Sequence, residues 1–226
     1  LDGCNDDGIN AHSIPFKVLK KFNDKVITLK VAGWKFHMHD NLSQRGIKFG
    51  DKVKFLNTSK GTIIHRATIK KSKLLNKSYI LTFENSLPEE IKEGTIASIN
   101  SFTIDNLKIS NSKFQNISGN GIVVAIEKAH IENSVFEYIN GKGIIVGSGF
   151  NPPWYDSYEV TIPDEVDIVN NTFEKCSTKK EWHLGGRRGM ITVSTGDSST
   201  EPGINNVSIR DNYFSNVPSG TSCINV

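Results

Sequence analysis

The sequence predicts an all-β protein: a right-handed parallel β-helix with a small antiparallel barrel or sandwich domain set into it. Two observations predict the helix. The segments Phe102-Thr-Ile-Asp-Asn-Leu-Lys-Ile-Ser-Asn-Ser-Lys-Phe114, Ala129-His-Ile-Glu-Asn-Ser-Val-Phe136, Val166-Asp-Ile-Val-Asn-Asn-Thr-Phe173 and Val207-Ser-Ile-Arg-Asp-Asn-Tyr-Phe214 all read apolar-x-Ile, a polar Asn-rich step, then Phe. Three are followed by glycine and an apolar strand, Gly121-Ile-Val-Val, Gly143-Ile-Ile-Val and Gly189-Met-Ile-Thr-Val, and the fourth ends in Ser222-Cys-Ile-Asn-Val226. A third observation predicts the insert, because residues 15–100 lose this pattern and read as longer alternating strands separated by turn residues.

The repeat follows from simple packing. Phe114 and Phe136 are 22 residues apart, as are Gly121 and Gly143, which is about one coil of a solenoid. Short alternating strands put Ile, Val and Phe inside, where successive coils stack them in rows. One coil cannot bury its own apolar face, so the unit must repeat. Asn at the turns tolerates left-handed backbone and bonds to the neighbouring turn. The next Phe spacings, 37 and 41 residues, predict coils that carry loops.

In the insert, Ile27–Val31, Val53–Phe55 and Tyr79–Phe83 read as strands, with Asn23-Asp24 and Gly50-Asp51 as turns. The expected organisation is a coil over 1–14, the antiparallel domain over 15–99 and further coils over 100–226. Charge divides along the same line. Residues 15–100 hold 17 Lys and Arg against 7 Asp and Glu, whereas the remainder holds 10 against 17. The insert is therefore +10 and the rest −7, which suggests two differently charged surfaces, one able to attract an anionic polymer. No basic-aromatic motif points to nucleic acid.

Apolar residues make up 37% of the chain and no run of 18 exists, so no helical membrane span is expected. Leu1-Asp2-Gly3-Cys4 shows neither an initiator Met nor a signal peptide, and the chain reads as a segment of a longer protein. Cys4, Cys176 and Cys223 are too few and too scattered for a disulfide framework or zinc site, and are expected as buried thiols.

The densest polar cluster is Asp6-Asp7-Gly8-Ile9-Asn10-Ala11-His12. If Ile9 and Ala11 point inward, strand parity puts Asn10, His12 and Asp6 on the outer face. Asp7 would then point inward unless Gly8 marks a bend, and a buried unpaired carboxylate is costly enough to expect that bend. Both carboxylates then reach one cleft. The plainer alternative is an Asp-rich turn that caps backbone amides.

This cluster with Ser13 resembles the Asp-Asp-Ala-x-Asn-Val-His-Gly signature of the α-1,3-galactosidases of glycoside hydrolase family 110. Lys35-Phe36-His37-Met38-His39 with Gly46-Ile-Lys-Phe-Gly50-Asp51 resembles that family's Arg-Phe-x-His…Gly-Phe…Gly-Asp stretch. Asn151-Pro-Pro-Trp154-Tyr155-Asp156-Ser157, then Val166-Asp-Ile168-Val169 and Asn170-Asn171-Thr172-Phe173, resembles its Trp-Tyr-Glu-Ser-Gly, strand, Asn-Asn-x-Phe run. The three stretches occur in family order. The resemblance implies a β-helix with inserted barrels and an exo-acting, inverting hydrolase for terminal α-1,3-linked galactose. Asp6 and Asp7 are the candidate acid and base.

Asn10, His12, Trp154, Tyr155, Asp156, Arg187 and Arg188 are the candidate substrate-binding residues. Trp154 and Tyr155 suit stacking on the apolar face of galactose, or packing on the solenoid. Trp182-His183 and Arg187-Arg188 share a loop, and an arginine pair can grip a carboxylate or sulfate. His37-Met38-His39-Asp40 has no companion at ligand spacing, so no metal and no cofactor is expected. His65 and His130 fall in strand patterns and read as structural. The expected partner is a galactose-terminated glycan, with sulfated galactan among the candidates, no nucleic acid and no membrane; a homodimer is an open assembly. The expected location is secreted or periplasmic. Rival readings are another β-helix glycanase, such as a polygalacturonase-like hydrolase or polysaccharide lyase, and a non-catalytic glycan-binding or structural β-helix.

Overall fold

A computed structural model describes residues 1–32, 46–104, 106–147, 161–179, 189–194 and 204–226. Its described residues are mostly β, divided between a closed antiparallel barrel and three parallel sheets.

The chain enters through β1 (Ile9–His12) and runs directly into the barrel. Barrel strands are β2 (Pro15–Lys21), β3 (Val26–Val31), β4 (Lys52–Asn57), β5 (Thr62–Leu75), β6 (Ser78–Phe83) and β7 (Ile96–Ile99), closed in the order β2-β3-β6-β5-β4-β7. Alternation drives the closure, and β6 shows it plainly, with Tyr79, Leu81 and Phe83 buried and the residues between them partly exposed. The interior is filled by edge-to-face aromatic pairs, Phe16 with Phe102 at 5.1 Å and Phe55 with Phe83 at 5.8 Å between centroids. Strand β5 is 14 residues long because it serves two partners, pairing β4 through residues 62–68 and β6 through residues 69–75. Bulges at Val18/Lys20, Phe55/Leu56 and Ile69/Lys71 supply the added twist that a small barrel needs.

After the barrel the chain lays down β8 (Leu107–Ser110), β9 (Lys113–Gln115), β10 (Ile122–Ala125), β11 (Lys128–Glu132), β12 (Val135–Glu137), β13 (Ile144–Gly147), β14 (Glu165–Val169), β15 (Thr172–Glu174), β16 (Gly189–Ser194), β17 (Val207–Arg210), β18 (Tyr213–Ser215) and β19 (Ser222–Asn225). Every third strand joins the same parallel sheet. The orders are β8-β11-β14-β17, β9-β12-β15-β18 and β1-β10-β13-β16-β19. Strand β1, separated from β10 by the whole barrel, still pairs in register from Ile9↔Ile122 to His12↔Ala125.

Register turns the repeat into ladders. Phe114, Phe136, Phe173 and Phe214 stack face to face, with centroids 4.9, 4.8 and 5.2 Å apart and planes within 14° of parallel. The sheet spacing of about 4.8 Å imposes that offset, which identical rings on paired strands fill without a void. A polar ladder runs beside it: Ser112 N–H donates to Ser134 Oγ, Ser134 N–H to Asn171 Oδ1, and Asn171 N–H to Asn212 Oδ1. At the preceding turn Asn111, Asn133, Asn170 and Asp211 all have φ between 50° and 57°, the left-handed region that Asn and Asp tolerate best. A second series, Asn116, Tyr138, Lys175 and Asn216, repeats that geometry after the Phe strand, where the sequence shows no shared residue type.

Of the three cysteines only Cys176 is buried, while Cys4 and Cys223 are partly exposed, which corrects the expectation of three buried thiols. Cys4 and Cys223 lie in the first and last repeats, where fewer neighbours cover them. Burial pushes the Cys176 thiol up to about 12.

Candidate functional site

The Asp6–His12 segment packs onto the repeat that begins at Gly119. Asp7 lies beside Asn120, Gly8 beside Gly121 and Ile9 beside Ile122. Gly8 N–H donates to the Asn120 carbonyl at 2.8 Å and Ile9 N–H to the Gly121 carbonyl at 3.0 Å. Glycine is needed at position 8 because of this close approach: a Cβ there would sit 2.6 Å from the Gly121 carbonyl oxygen.

The bend at Gly8 turns Asp7 along the stack, neither into the apolar core nor fully into solvent. Its Oδ1 accepts from both Asn120 N–H and Asn120 Nδ2, each at 2.8 Å, and the residue is half-buried. Asn120 does the same one repeat on, its Oδ1 accepting from Lys142 N–H at 2.9 Å. Asp6 differs. Its carbonyl accepts from Gly119 N–H, its side chain is exposed, and its carboxylate takes no hydrogen bond from the described residues. The two carboxylates therefore occupy unlike environments, and neither lines the two clefts that lie against the barrel.

Asn10 and His12 lie on the outer face, exposed, while Ala11 between them is buried in the core. His12 Nδ1 lies 3.0 Å from the Ser13 carbonyl oxygen. A carbonyl can only accept, so a hydrogen bond here requires the proton on Nδ1, and in that neutral tautomer Nε2 is an acceptor. Register extends the Asn10 row across the sheet through Val123, Ile145, Thr192 and Asn225. At about 4.8 Å per strand, Asn10 and Thr192 are roughly 14 Å apart. Thr192 is 3% exposed and its Oγ1 has no hydrogen-bond partner among the described residues. A buried hydroxyl without a partner is uncommon and costs about 1–3 kcal/mol. Sequence reasoning did not single out Thr192, though its signal is visible: a hydroxyl in Gly189-Met-Ile-Thr-Val where the preceding repeats carry Val and Ile.

Trp154, Tyr155, Asp156, Trp182, His183, Arg187 and Arg188 lie outside the described residues, as do Lys35–His39. His65 and His130 lie on β5 and β11, His130 within 3.4 Å of Glu132 and 3.7 Å of Asp167. Among the described residues no group of three or more His, Cys, Asp or Glu could hold a metal ion.

No family model matches the chain, and no curated protein matches it. Among solved structures it is similar to the tailspike protein gp49 from Pseudomonas phage LKA1, at 11% identity and a TM-score of 0.29. That match covers 97% of this chain, which spans 38% of the tailspike chain. The fold and site described above rest on this chain's own strand pairing and hydrogen bonds.

Proposed function

We propose that the three parallel sheets are the faces of one right-handed parallel β-helix, and that the molecule is an exo-acting glycoside hydrolase removing terminal α-1,3-linked galactose with inversion. The observation that carries this reading is the unlike setting of two adjacent carboxylates. Asp7 is half-buried and held on Asn120 by two hydrogen bonds, while Asp6 is exposed and unengaged by the described residues. Acid and base must differ in this way, since one group holds a proton while the other takes one from water. Inverting enzymes place the two carboxyls roughly 6.5–9.5 Å apart to admit that water.

In this reading the outer row supplies recognition. Asn10 and His12 Nε2 bond sugar hydroxyls. Trp154, Tyr155, Asp156, Arg187 and Arg188 belong to the proposal through the family resemblance. A secreted or periplasmic location and a galactose-terminated partner are part of the same proposal. The experiment is release of galactose from aryl α-galactosides and α-1,3-galactosyl oligosaccharides, with proton NMR reporting which anomer forms first. Inversion gives the β-anomer of galactose.

One observation favours a second reading, a glycan-binding or structural β-helix. Asp7 fills the ladder position that Asn120 fills one repeat on, and Asn120 serves there as a turn cap. On that reading the chain binds a glycan, or only builds structure, and releases nothing.

A further inference from the structure

Between the barrel and the parallel sheets runs a cleft of about 480 Å³. One wall is the outer face of β5, β4 and β7, where Arg66 pairs across to Lys54 and Lys54 to Ser98. Lys52 lies two residues along β4 and faces Thr68. The opposite wall is Glu127 and Lys128, at the start of β11.

The charges in this cleft do not cancel. Lys54 is paired with Glu127, and Lys128 with Glu165 at 2.7 Å. Lys52 Nζ donates only to the Thr68 hydroxyl, at 2.7 Å, and Arg66 makes no ion pair or hydrogen bond among the described residues. Arg66 faces Lys54 across the strand pair, a like-charge neighbour whose repulsion Glu127 offsets by pairing with Lys54. The adjoining groove, of about 240 Å³, carries Asp164 beyond Arg66, which leaves the Lys52 end the more positive. Arg66 is exposed and has no partner among the described residues, and a planar guanidinium beside an ammonium suits a doubly coordinated oxyanion.

We propose that this cleft is a subsite for an anionic substituent of a saccharide, a sulfate ester or a uronate carboxylate. Arg66 holds the anion through paired N–H bonds and Lys52 adds a second positive charge. That the anion is borne by a saccharide rests on the carbohydrate reading; the subsite itself rests on the charges and the cavity. Glu127 tempers the site by neutralising Lys54, so it limits how strongly the cleft holds an anion.

The test is calorimetric titration of the intact chain with a sulfated galactan oligosaccharide, the same oligosaccharide after desulfation, a uronate-containing oligosaccharide and inorganic sulfate. The expected result is that Arg66→Ala weakens the sulfated or uronate ligand by about tenfold or more, as loss of a charge-assisted pair implies, and leaves the desulfated one unchanged. Arg66→Lys, which keeps the charge without the fork, loses part of that affinity. Glu127→Gln tightens binding, and Lys73→Ala, on the far arm of β5, changes nothing. Binding of inorganic sulfate as tightly as the oligosaccharide would overturn the saccharide assignment. Equal binding of the sulfated ligand by the wild type and a folded Arg66→Ala overturns the subsite, and galactose release by that variant then leaves the hydrolase reading standing. Arg66-dependent binding with no galactose release keeps the subsite and removes the hydrolase.

Discussion

Asp7 and Asn120 are joined by two hydrogen bonds onto a single carboxylate oxygen, both 2.8 Å long, across 113 residues of sequence. The bond ties the segment before the barrel to the first full repeat after it. It gives the Asp-Asp motif a fixed platform, and it makes the platform testable.

Replacing Asn120 by Ala removes one donor to Asp7 and the acceptor of Lys142 N–H. Asn120 is 8% exposed, so water does not readily replace either bond. The expected destabilisation is about 1–3 kcal/mol, measured by urea unfolding. If Asp7 is catalytic, turnover per folded molecule falls as well; if Asp7 is only a cap, stability falls alone.

The Phe stack makes a graded prediction. Phe136, fully buried with a ring on either side, should cost about 3–5 kcal/mol when replaced by Ala. Phe214, half-exposed at the end of the stack with one neighbouring ring, should cost clearly less. Equal losses at the two positions would contradict the stacking account.

The left-handed turn at Asn133 has φ of 50° and is exposed. Asn133→Gly keeps the turn and loses only the exposed bond that Asn170 Nδ2 donates to Asn133 Oδ1 at 2.6 Å, so it should cost less than a β-branched replacement. Asn133→Val, whose branched side chain resists that region, should lower stability by about 1–2 kcal/mol. Thermal unfolding of the two variants decides the matter.

Cys176 should resist thiol reagents in the native protein near pH 8, where Cys4 and Cys223, partly exposed, react. Its folded pKa of about 12 lies above the ordinary thiol value of 9.0. Its stabilising contribution is thus complete below about pH 9 and is lost as pH rises from there toward 12. Replacing Cys176 with Ala should flatten stability over that window, and an unchanged slope would contradict the assignment.

The repeat was legible because its stacking residues are chemically marked: Phe and Ile at equal offsets, Asn where the backbone is left-handed. The second left-handed turn was not, because Tyr138 and Lys175 carry no such mark and adopt φ near 50° only as their repeat's register requires. Individual barrel strands were readable from alternation, as at Tyr79–Phe83. Their closure order was not, since it depends on β5 changing partners in mid-strand. At the site, parity correctly put Asn10 and His12 outside, yet the partner of Asp7 was hidden because Asn120 is distant in sequence. Arg66 was one basic residue among 17 in the insert until its pairing with Lys54 set it apart.

The most direct test is galactose release from an α-1,3-galactosyl oligosaccharide by wild type, Asp6→Asn and Asp7→Asn, each first shown to be folded. Asn preserves the shape of the carboxyl group but cannot exchange a proton at neutral pH, and general acid–base catalysis by one group is worth roughly 10²–10⁴-fold. The account predicts turnover by the wild type with a bell-shaped pH profile, and losses of that size in both variants. Near-normal turnover in folded Asp6→Asn and Asp7→Asn, or no galactose release by the wild type, would contradict it.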